Sequence, residues 1–501
     1  MKVLIRFLFL AMLPFWALLS TSCKKDKFIT DSSAKLAFSQ DSVLFDTVFT
    51  SIGSSTRNFR ILNPHKEKLK ISSIYLEGGA ASPYKINVDG ESGSSFENLE
   101  LLAGDSMYVF VQVKIDPNNV NTPLIVSDYL HFVVNGNDQK VVLEAWGQDA
   151  YYHYPDSAIY FKDGSYLAYS LVNSNKASYT LAGDEYVWKN DKPHVIYGFL
   201  VVDEKQKLKI PAGTKVYLNY KAGLWVYAGG QLQVLGQKGN EVLFTSARRE
   251  REYLDEPGQW DRIWINEGSD QNVINYAIIK NGYIGVQAEL LGSDVELAKK
   301  RRLEITNTKI QNMSYWGLYC LAYGVVAANN VFSNCQEHSV NILYGGSYYF
   351  AHNTIANYWN KPKSREKPAM HVMNYYENDV YPISFYMGNS IIDGKFTNEY
   401  DFDVKTAAST TVSYTISNCY MKTTADVSDA AHYFNIKKVD PDNAIKYTDQ
   451  AKYDFSPDKD EKRMGGFVHP FATQDAQIFS TDINGKARNT TYVTAGAYEL
   501  P

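Results

Sequence analysis

The sequence predicts an all-β protein in which a small β-sandwich precedes a parallel β-helix. The chain has 501 residues, and since a single hydrophobic core stops growing at roughly 250–300 residues, we expect more than one folding unit. Apolar and polar residues alternate in short runs over residues 36–150, as half-buried strands require. Beyond residue 278, a pattern of an apolar residue, any residue and then Asn or Asp recurs at spacings down to 22 residues. Three short strands in a repeat of that length are typical of a parallel β-helix.

The composition excludes several classes of protein. Hydrophobic residues make up 45% of the chain and charged residues 21%, which is ordinary for a globular protein and excludes general disorder. Four cysteines in this length exclude a scaffold built from disulfides. The formal net charge is −5, so we expect no nucleic-acid partner.

The N-terminus has the layout of an export signal. Lys2 and Arg6 precede an apolar run over residues 7–19, which suits a signal peptide and is too short to span a bilayer. Small residues follow and lead to Cys23. This arrangement resembles the lipobox of bacterial lipoproteins, although Ser20 stands where that family usually has Leu. The resemblance implies cleavage before Cys23 and attachment of lipid to its thiol.

A lipid on Cys23 would attach the protein to a membrane of the bacterial cell envelope, and we expect the outer membrane. The N-terminus then divides into a signal peptide at residues 1–22 and a polar tether at residues 23–35. Ordinary secretion, with cleavage nearby, is the alternative.

Residues 36–150 predict one immunoglobulin-like β-sandwich. Val109 falls on one face of a strand and Tyr108 on the other, and an Asn-Gly turn at residues 135–136 predicts a hairpin. About 115 residues of such strands suit one sandwich of this kind. The run at residues 58–64 resembles immunoglobulin-like modules of cilium-associated and bacterial surface proteins.

The remaining chain predicts a Tyr-rich connector at residues 151–194 and the β-helix at residues 195–501. Aligning strands from coil to coil gives an apolar inward column and a polar or aromatic outward column. The inward column contains Val286, Leu318, Val340 and Met370, and the outward column contains Gln287, Tyr319, Asn341 and His371. The recurring Asn and Asp residues fall at a turn, where Asn tolerates the left-handed conformation and stacked amides bond between coils.

Sequence motifs at both ends of the predicted β-helix carry a family resemblance. Residues 230–236, the run Trp260-Asp261-Arg262-Ile263 and the C-terminal run Gly496-Ala497-Tyr498-Glu499 resemble right-handed parallel β-helix lipoproteins. The resemblance implies a right-handed, pectate-lyase-like β-helix. It implies no activity, because that fold occurs in lyases, hydrolases and adhesins alike.

Candidate catalytic residues are few. A polysaccharide lyase needs an Arg or Lys base, often with acidic calcium ligands, and a glycoside hydrolase needs two carboxylates about 5–10 Å apart. The candidates are Arg262 with Asp261, and His371 with Glu377. No two His residues have the spacing of metal ligands, so we expect no metal site, and calcium enters only with the enzyme hypothesis.

Aromatic residues near the outward column predict a binding face. Loops between the second and third strands carry several Tyr residues that would overhang this face, where aromatic rings suit stacking on sugars or docking of a protein. The predicted ligand-binding residues are Tyr319, Asn341, His371, Tyr323, Tyr344 and Tyr376. Basic segments at residues 248–251, 299–302 and 361–367 suggest a cationic rim for an anionic glycan. The second and third segments fall at different corners of the coil, however, so a shared patch is the less favoured alternative.

Three functions remain open from the sequence. The first is a lipid-anchored envelope protein whose β-helix binds a glycan or a partner protein. The second is a polysaccharide lyase or glycoside hydrolase that uses the face near Arg262 or His371. The third is a structural spacer at the cell surface.

Overall fold

The computed structural model describes residues 27–117, 124–290, 302–408, 410–440 and 444–500. The chain divides into two compact units, Met1–Asp149 and Ala150–Pro501. Within the described residues, no helix is long and apolar enough to cross a membrane. Cys23 lies outside the described residues, so the predicted lipidation remains a prediction.

The first unit is a β-sandwich of two five-stranded sheets. One sheet has the spatial order Ala37–Phe38, Arg57–Leu62, Ser106–Val113, Tyr84–Val88, Glu91–Gly93. The other has the order Ser42–Phe49, Asn137–Gln148, Leu124–Val134, Leu69–Leu76, Ser95–Leu101. Phe59 of the first sheet meets Phe132 of the second edge-on, with their ring centroids 6.1 Å apart. Apolar side chains that alternate along each strand therefore form one core between the sheets.

The predicted tether is wrong from residue 27 onward, because residues 27–35 fold onto the sandwich. Ile29 N–H donates to the Lys68 carbonyl oxygen at 2.9 Å, and Lys68 N–H donates to the Lys27 carbonyl oxygen at 3.2 Å. Ile29 packs against the sandwich core and Ala34 is buried within it. Burial of these apolar side chains favours docking over a free polar linker.

The second unit is a parallel β-helix, as predicted. Its larger sheet has 19 strands. They are Ser157–Tyr160, Tyr166–Leu171, Tyr179–Ala182, Glu185–Trp188, Phe199–Val202, Lys207–Pro211, Gly223–Val226, Gln231–Leu235, Ile263–Ile265, Asn272–Asn275, Ile284–Glu289, Leu303–Thr306, Trp316–Ala328, Val340–Ala351, Met370–Met373, Ile383–Gly388, Tyr400–Asp403, Val412–Ser417 and Tyr433–Phe434.

The second sheet of the β-helix has 11 strands. They are Tyr151–His153, His194–Ile196, Lys215–Leu218, Val242–Ser246, Ala277–Lys280, Lys309–Gln311, Val331–Ser333, Thr354–Asn357, Ile391–Gly394, Tyr420–Met421 and Lys437–Lys438. Among the described residues, two short hairpins lie outside these sheets, Tyr375–Tyr376 with Asp379–Val380 and Tyr447–Asp449 with Asp454–Pro457. The α-helix Pro470–Ile478 lies near the C-terminus.

The predicted coil register is confirmed in the second strand of each coil. Val286 pairs with Leu318, Leu318 with Val340, and Val340 with Met370. All four side chains are buried in one interior stack. The third strand of these coils also contributes to the core, where Tyr348 pairs with Phe385.

The recurring Asn residues occupy two turns instead of the single turn predicted. Asn281, Asn312 and Asn334 have φ values of 67°, 57° and 50° at one turn, and Asn312 Nδ2 donates to Asn281 Oδ1 at 2.9 Å. Asn418 lies at the other corner, where Asn435 Nδ2 donates to its Oδ1 at 3.0 Å. Asp393 pairs with Ala356 inside a strand. Asn fits both corners because it adopts the left-handed conformation and bonds along the stack.

The predicted connector at residues 151–194 is wrong, because these residues form the first strands of the β-helix. Tyr152 pairs in parallel with Val195, and Tyr169 pairs in parallel with Phe199. Two antiparallel hairpins begin the larger sheet, at Ser157–Tyr160 with Tyr166–Leu171 and at Tyr179–Ala182 with Glu185–Trp188. In a linker, the backbone N–H and C=O groups of these residues would bond to water. Here they form hydrogen bonds between paired strands.

The C-terminal segment folds back and covers part of the β-helix. Its α-helix brings Asp475 to two outward Tyr side chains of the larger sheet, and the hydroxyls of Tyr349 and Tyr386 donate to the carboxylate at 2.5 and 2.7 Å. Asp475 is buried, and burial raises the pKa of its carboxyl from 3.8 to about 6. A buried acid of this kind makes attachment of the segment depend on pH.

We expect Asp475→Asn to stabilise the protein at pH 7.5 by about 2 kcal/mol and to have almost no effect near pH 4. The folded-state pKa lies above the unfolded value, so ionisation opposes folding and its cost is complete above about pH 6. Thermal melts from pH 4 to pH 8 measure the difference, with the exposed Asp184→Asn as control. A variant less stable than wild type at pH 7.5 would show that the two Tyr hydrogen bonds outweigh the cost of burial.

Candidate functional site

Outward side chains form one continuous ladder on the larger sheet of the β-helix. Backbone pairing aligns Trp225, Trp264, Gln287, Tyr319, Asn341, His371 and Asp401 on successive coils. We call these seven residues the outward ladder. Its central four residues were predicted from the sequence. At about 4.8 Å per coil, its six steps extend for about 29 Å.

Sequence reasoning missed the first two members, Trp225 and Trp264. Each is the middle residue of an apolar triplet, Leu-Trp-Val or Ile-Trp-Ile, in which the outer residues are buried and the Trp is half-buried. Those triplets carry the same alternation as the later coils, so they contained a usable signal. The two indole rings stack with centroids 5.0 Å apart and planes 14° apart.

A second group of rings flanks the ladder around Tyr319. Tyr283 stacks on Tyr315 at 5.1 Å, Tyr315 contacts Trp316 at 4.1 Å, and Trp316 contacts Tyr319 at 4.0 Å. The Arg262 guanidinium carbon lies 5.7 Å from the Tyr283 ring centroid and 6.0 Å from that of Trp264. Arg262 thus connects the two aromatic groups into one surface.

Glu289 fixes the polar side chains between these rings, and sequence reasoning did not single it out. Its carboxylate accepts hydrogen bonds from Trp264 Nε1 at 2.8 Å, Asn266 Nδ2 at 2.6 Å and Gln287 Nε2 at 2.6 Å. Gln287 Oε1 accepts from Arg262, which also pairs with Asp261. Glu289 is buried, so these bonds orient the indole and the amide beneath the surface.

His371 lies at the far end of the ladder in a second polar group. Its Nδ1 lies 3.0 Å from Asn341 Oδ1, its Nε2 lies 3.7 Å from Asp401, and its ring stacks on His338 at 5.1 Å. Burial lowers the pKa of His371, with Asp401 acting in the opposite direction. Burial lowers the pKa of His338 to about 3, so this ring is neutral at physiological pH.

The prediction that Tyr323 lies on the exposed face is wrong. Its side chain is fully buried in the β-helix core, and its hydroxyl donates to the Ser269 carbonyl oxygen at 2.9 Å. The preceding Ala322 has φ of 48°, and this left-handed residue shifts the pairing register between Leu321 and Tyr323. The strand therefore continues past the kink with Tyr323 pointing inward. Asn341, although on the outward ladder, is also largely buried.

The overhanging Tyr residues pack against one another. Tyr344 contacts Tyr376 edge-on at 5.7 Å and Tyr381 at 5.8 Å. Tyr376 keeps about half of its surface exposed, and Glu377 is exposed beside it at the turn of a short hairpin. This cluster forms a rim next to the ladder.

The candidate catalytic residues do not converge. Arg262 and Asp261 lie beside Trp264, whereas His371 lies four coils further along the ladder, about 19 Å away. Within the described part of the chain, no group of three or more His, Cys, Asp or Glu residues is placed to hold a metal ion.

Acids neutralise part of the charge in the two basic segments that can be located. Arg248 pairs with Glu250 of its own segment, and Lys361 pairs with Asp255 at 3.0 Å. Arg365 is buried against Glu399 with a closest approach of 2.5 Å. The linear charge pattern could not reveal the pairing with Asp255 and Glu399, which are distant in sequence. Residues 299–301 lie outside the described residues.

No family model matches this chain, and no curated protein sequence matches it. Among solved structures, the catalytic unit of a thermostable GH87 α-1,3-glucanase from Streptomyces thermodiastaticus is 11% identical over 77% of this chain and 89% of that one, with a TM-score of 0.23. A family 123 glycoside hydrolase from Clostridium perfringens is 9% identical over 23% of this chain, with a TM-score of 0.17, and the match spans 26% of that chain.

The PapD-like domain 7 of human CEP192 is 12% identical over 26% of this chain and 94% of that domain, with a TM-score of 0.16. Similarity at this level carries no conclusion about activity, substrate or partner. The strand pairing itself defines the class of protein: a parallel β-helix, with an aromatic and polar ladder along its larger sheet, that follows a β-sandwich.

Proposed function

We propose that this protein is a lipid-anchored component of the bacterial cell envelope whose β-helix binds an extended glycan along the outward ladder. The observation that carries the proposal is the in-register alignment of Trp225, Trp264, Gln287, Tyr319 and His371 on successive coils. Aromatic rings match the apolar faces of pyranose rings, and neighbouring polar groups bond hydroxyls.

The geometry favours a glycan over a partner protein. The ladder is narrow and repeats with the spacing of the coils, which suits a linear polymer that presents similar units in sequence. Hydrogen bonds to Glu289 hold Trp264 and Gln287 in place before a ligand arrives, so little side-chain entropy is lost on binding. Binding of a partner protein instead of a glycan is one possible result of the binding test.

We expect the double variant Tyr283→Ala with Tyr319→Ala to lose glycan binding by at least about tenfold, because one ring of the ladder and one ring of the group that flanks it disappear. A glycan array probed with the mature chain, residues 24–501, identifies the ligand, and affinity electrophoresis then measures binding. The control is Tyr220→Ala with Tyr492→Ala, which removes two exposed rings elsewhere. Equal binding by both variants would contradict the proposal, and capture of a protein instead of any glycan would replace it.

The second candidate function is a polysaccharide-degrading enzyme, and the grouping of Arg262, Asp261 and Glu289 favours it. Arg262 would act as the base of a lyase, or the two acids as the pair of a hydrolase, and calcium would enter only in the lyase case. Asp261 is already paired with Arg262, and Glu289 accepts three hydrogen bonds, so neither carboxylate is open to a substrate. Incubation with polysaccharides and measurement of released reducing ends or unsaturated sugars tests this function. Release by the wild type that Glu289→Gln abolishes would support an enzyme over a binding protein.

The anchor has its own test. We expect Cys23→Ala to move the protein from the membrane fraction to the soluble fraction, or to leave the signal peptide uncleaved, because no other thiol stands at the expected cleavage site. Cell fractionation with detection of the chain measures both effects, and Cys419→Ala is the control at a buried thiol. Unchanged membrane attachment and processing would leave secretion, or a spacer held by other means, as the alternatives.

A further inference from the structure

The sandwich begins very close to the predicted lipid. Its first described residue, Lys27, already accepts a backbone hydrogen bond from Lys68, and Phe28 forms a parallel bridge with Lys68. Three residues therefore separate Cys23 from Lys27, which corresponds to four steps along the chain. Because a fully extended chain spans at most about 3.6 Å per residue, the separation is at most about 14 Å. A lipid on Cys23 thus holds this end of the sandwich at the membrane surface.

The sandwich surface at this end is rich in lysine. Lys27, Lys66 and Lys70 are exposed, and Lys68 lies 5.9 Å over the Phe28 ring and 3.7 Å from Glu100. Lys68 directly precedes the strand Leu69–Leu76, which contains Lys70, and alternation along extended backbone places residues two positions apart on the same face. We call Lys27, Lys66, Lys68 and Lys70 the lysine surface.

The lysine surface is locally positive. Its four lysines stand against two nearby acids, Glu67 and Glu100. The local charge is therefore about +2 in a chain whose net charge is −5. A positive patch at the anchor of an acidic protein is complementary to an anionic membrane.

We propose that the lysine surface docks on anionic lipid headgroups and holds the sandwich flat against the membrane that carries the anchor. The proposal rests on the lipid-anchor part of the proposed function. Lipid and lysines then act as two signals at one site, since the lipid raises the effective concentration of headgroups around the lysine surface. The sandwich is therefore the part of the protein that contacts the membrane. The short separation in sequence between Cys23 and the sandwich keeps it close to the headgroups.

The test is co-sedimentation with vesicles of residues 24–501, the predicted mature chain without its lipidated cysteine. Vesicles of equal phosphatidylglycerol and phosphatidylcholine are compared with pure phosphatidylcholine. We expect binding to the anionic vesicles only, with a loss of at least about tenfold between 50 and 300 mM salt because the contacts are electrostatic. The same loss is expected in the variant Lys27→Glu, Lys66→Glu, Lys70→Glu.

The matched control is Lys205→Glu, Lys207→Glu, Lys221→Glu, which makes the same charge change at three exposed lysines of the β-helix. Circular dichroism checks that both variants fold. If one does not fold, the salt dependence of wild-type binding to anionic vesicles tests the proposal instead. Equal binding to neutral vesicles, no binding at all, or equal loss in both variants would overturn the proposal. The lipid anchor is tested separately, by the release of the Cys23→Ala variant into the soluble fraction of cells. If the lysine surface fails to bind vesicles, the prediction of the lipid anchor is therefore unaffected.

Discussion

Leu318→Asp should prevent the β-helix from folding, or lower the free energy of unfolding by more than about 4 kcal/mol. Leu318 is fully buried and lies between Val286 and Val340 in one interior column. An aspartate there would be ionised at neutral pH without a partner, or would protonate at a comparable cost. The neighbouring coils cannot move aside, since each strand is held by ladders on both sides.

Thermal and denaturant melts followed by circular dichroism measure this loss. Leu181→Asp is the matched control, because Leu181 lies on a strand of the same unit with 63% of its surface exposed. We expect that variant to remain within about 0.5 kcal/mol of the wild type. If the two variants were equally stable, Leu318 would not lie in a continuous core and the coil register would be wrong.

Arg365→Met should destabilise the β-helix by roughly 3–5 kcal/mol, because it leaves the buried Glu399 carboxylate without its ion partner. Arg365 Nη1 and Nη2 donate to the two carboxylate oxygens at 2.7 and 2.5 Å. The backbone N–H groups of Ala369 and Phe396 also donate to the Glu399 carboxylate, at 2.8 and 2.7 Å. The pair attaches the insertion at residues 361–367 to the coil that carries Glu399.

The double variant Arg365→Met with Glu399→Met should recover much of the lost stability, because no buried charge remains. Chemical denaturation of the two single variants and the double variant gives the coupling energy. Lys452→Met serves as control, since Lys452 pairs with Asp449 at the surface, where solvent screens the interaction and its loss should change stability little. A double variant no more stable than Arg365→Met would show that the pair does more than balance charge, and that its hydrogen bonds hold the insertion in shape.

The outward ladder shows which side-chain positions sequence periodicity predicts correctly in this protein and which it does not. Gln287, Tyr319, Asn341 and His371 were aligned correctly because each follows a buried apolar residue in a strand of period two. Tyr323 was placed wrongly because one left-handed residue, Ala322, breaks that period within a single long strand. Ala is an uncommon residue in that conformation, so no residue type at this position indicated the kink.

The polar partners of the site lay beyond the reach of sequence reasoning. Glu289 and Asn266 are 23 residues apart in sequence, and Arg365 and Glu399 are 34 residues apart, with strands and loops between them. Loop lengths between strands differ from coil to coil, so spacing along the chain does not determine which charges meet. The basic segment at residues 361–367 therefore suggested a free cationic rim, whereas folding neutralises its Arg365 in the interior.

The sequence by itself determined the all-β class, the parallel β-helix and the inward column, because stacking coils must repeat an apolar residue at each inward position. Tertiary structure alone decided three other features: the docking of residues 27–35 on the sandwich, the recruitment of residues 151–194 into the first coils, and the hydrogen-bonded network around Glu289. The physical reason is the same in each case. Local periodicity records which side of a strand is buried, whereas the partner of an edge strand or a buried charge is set by contacts between segments distant in sequence.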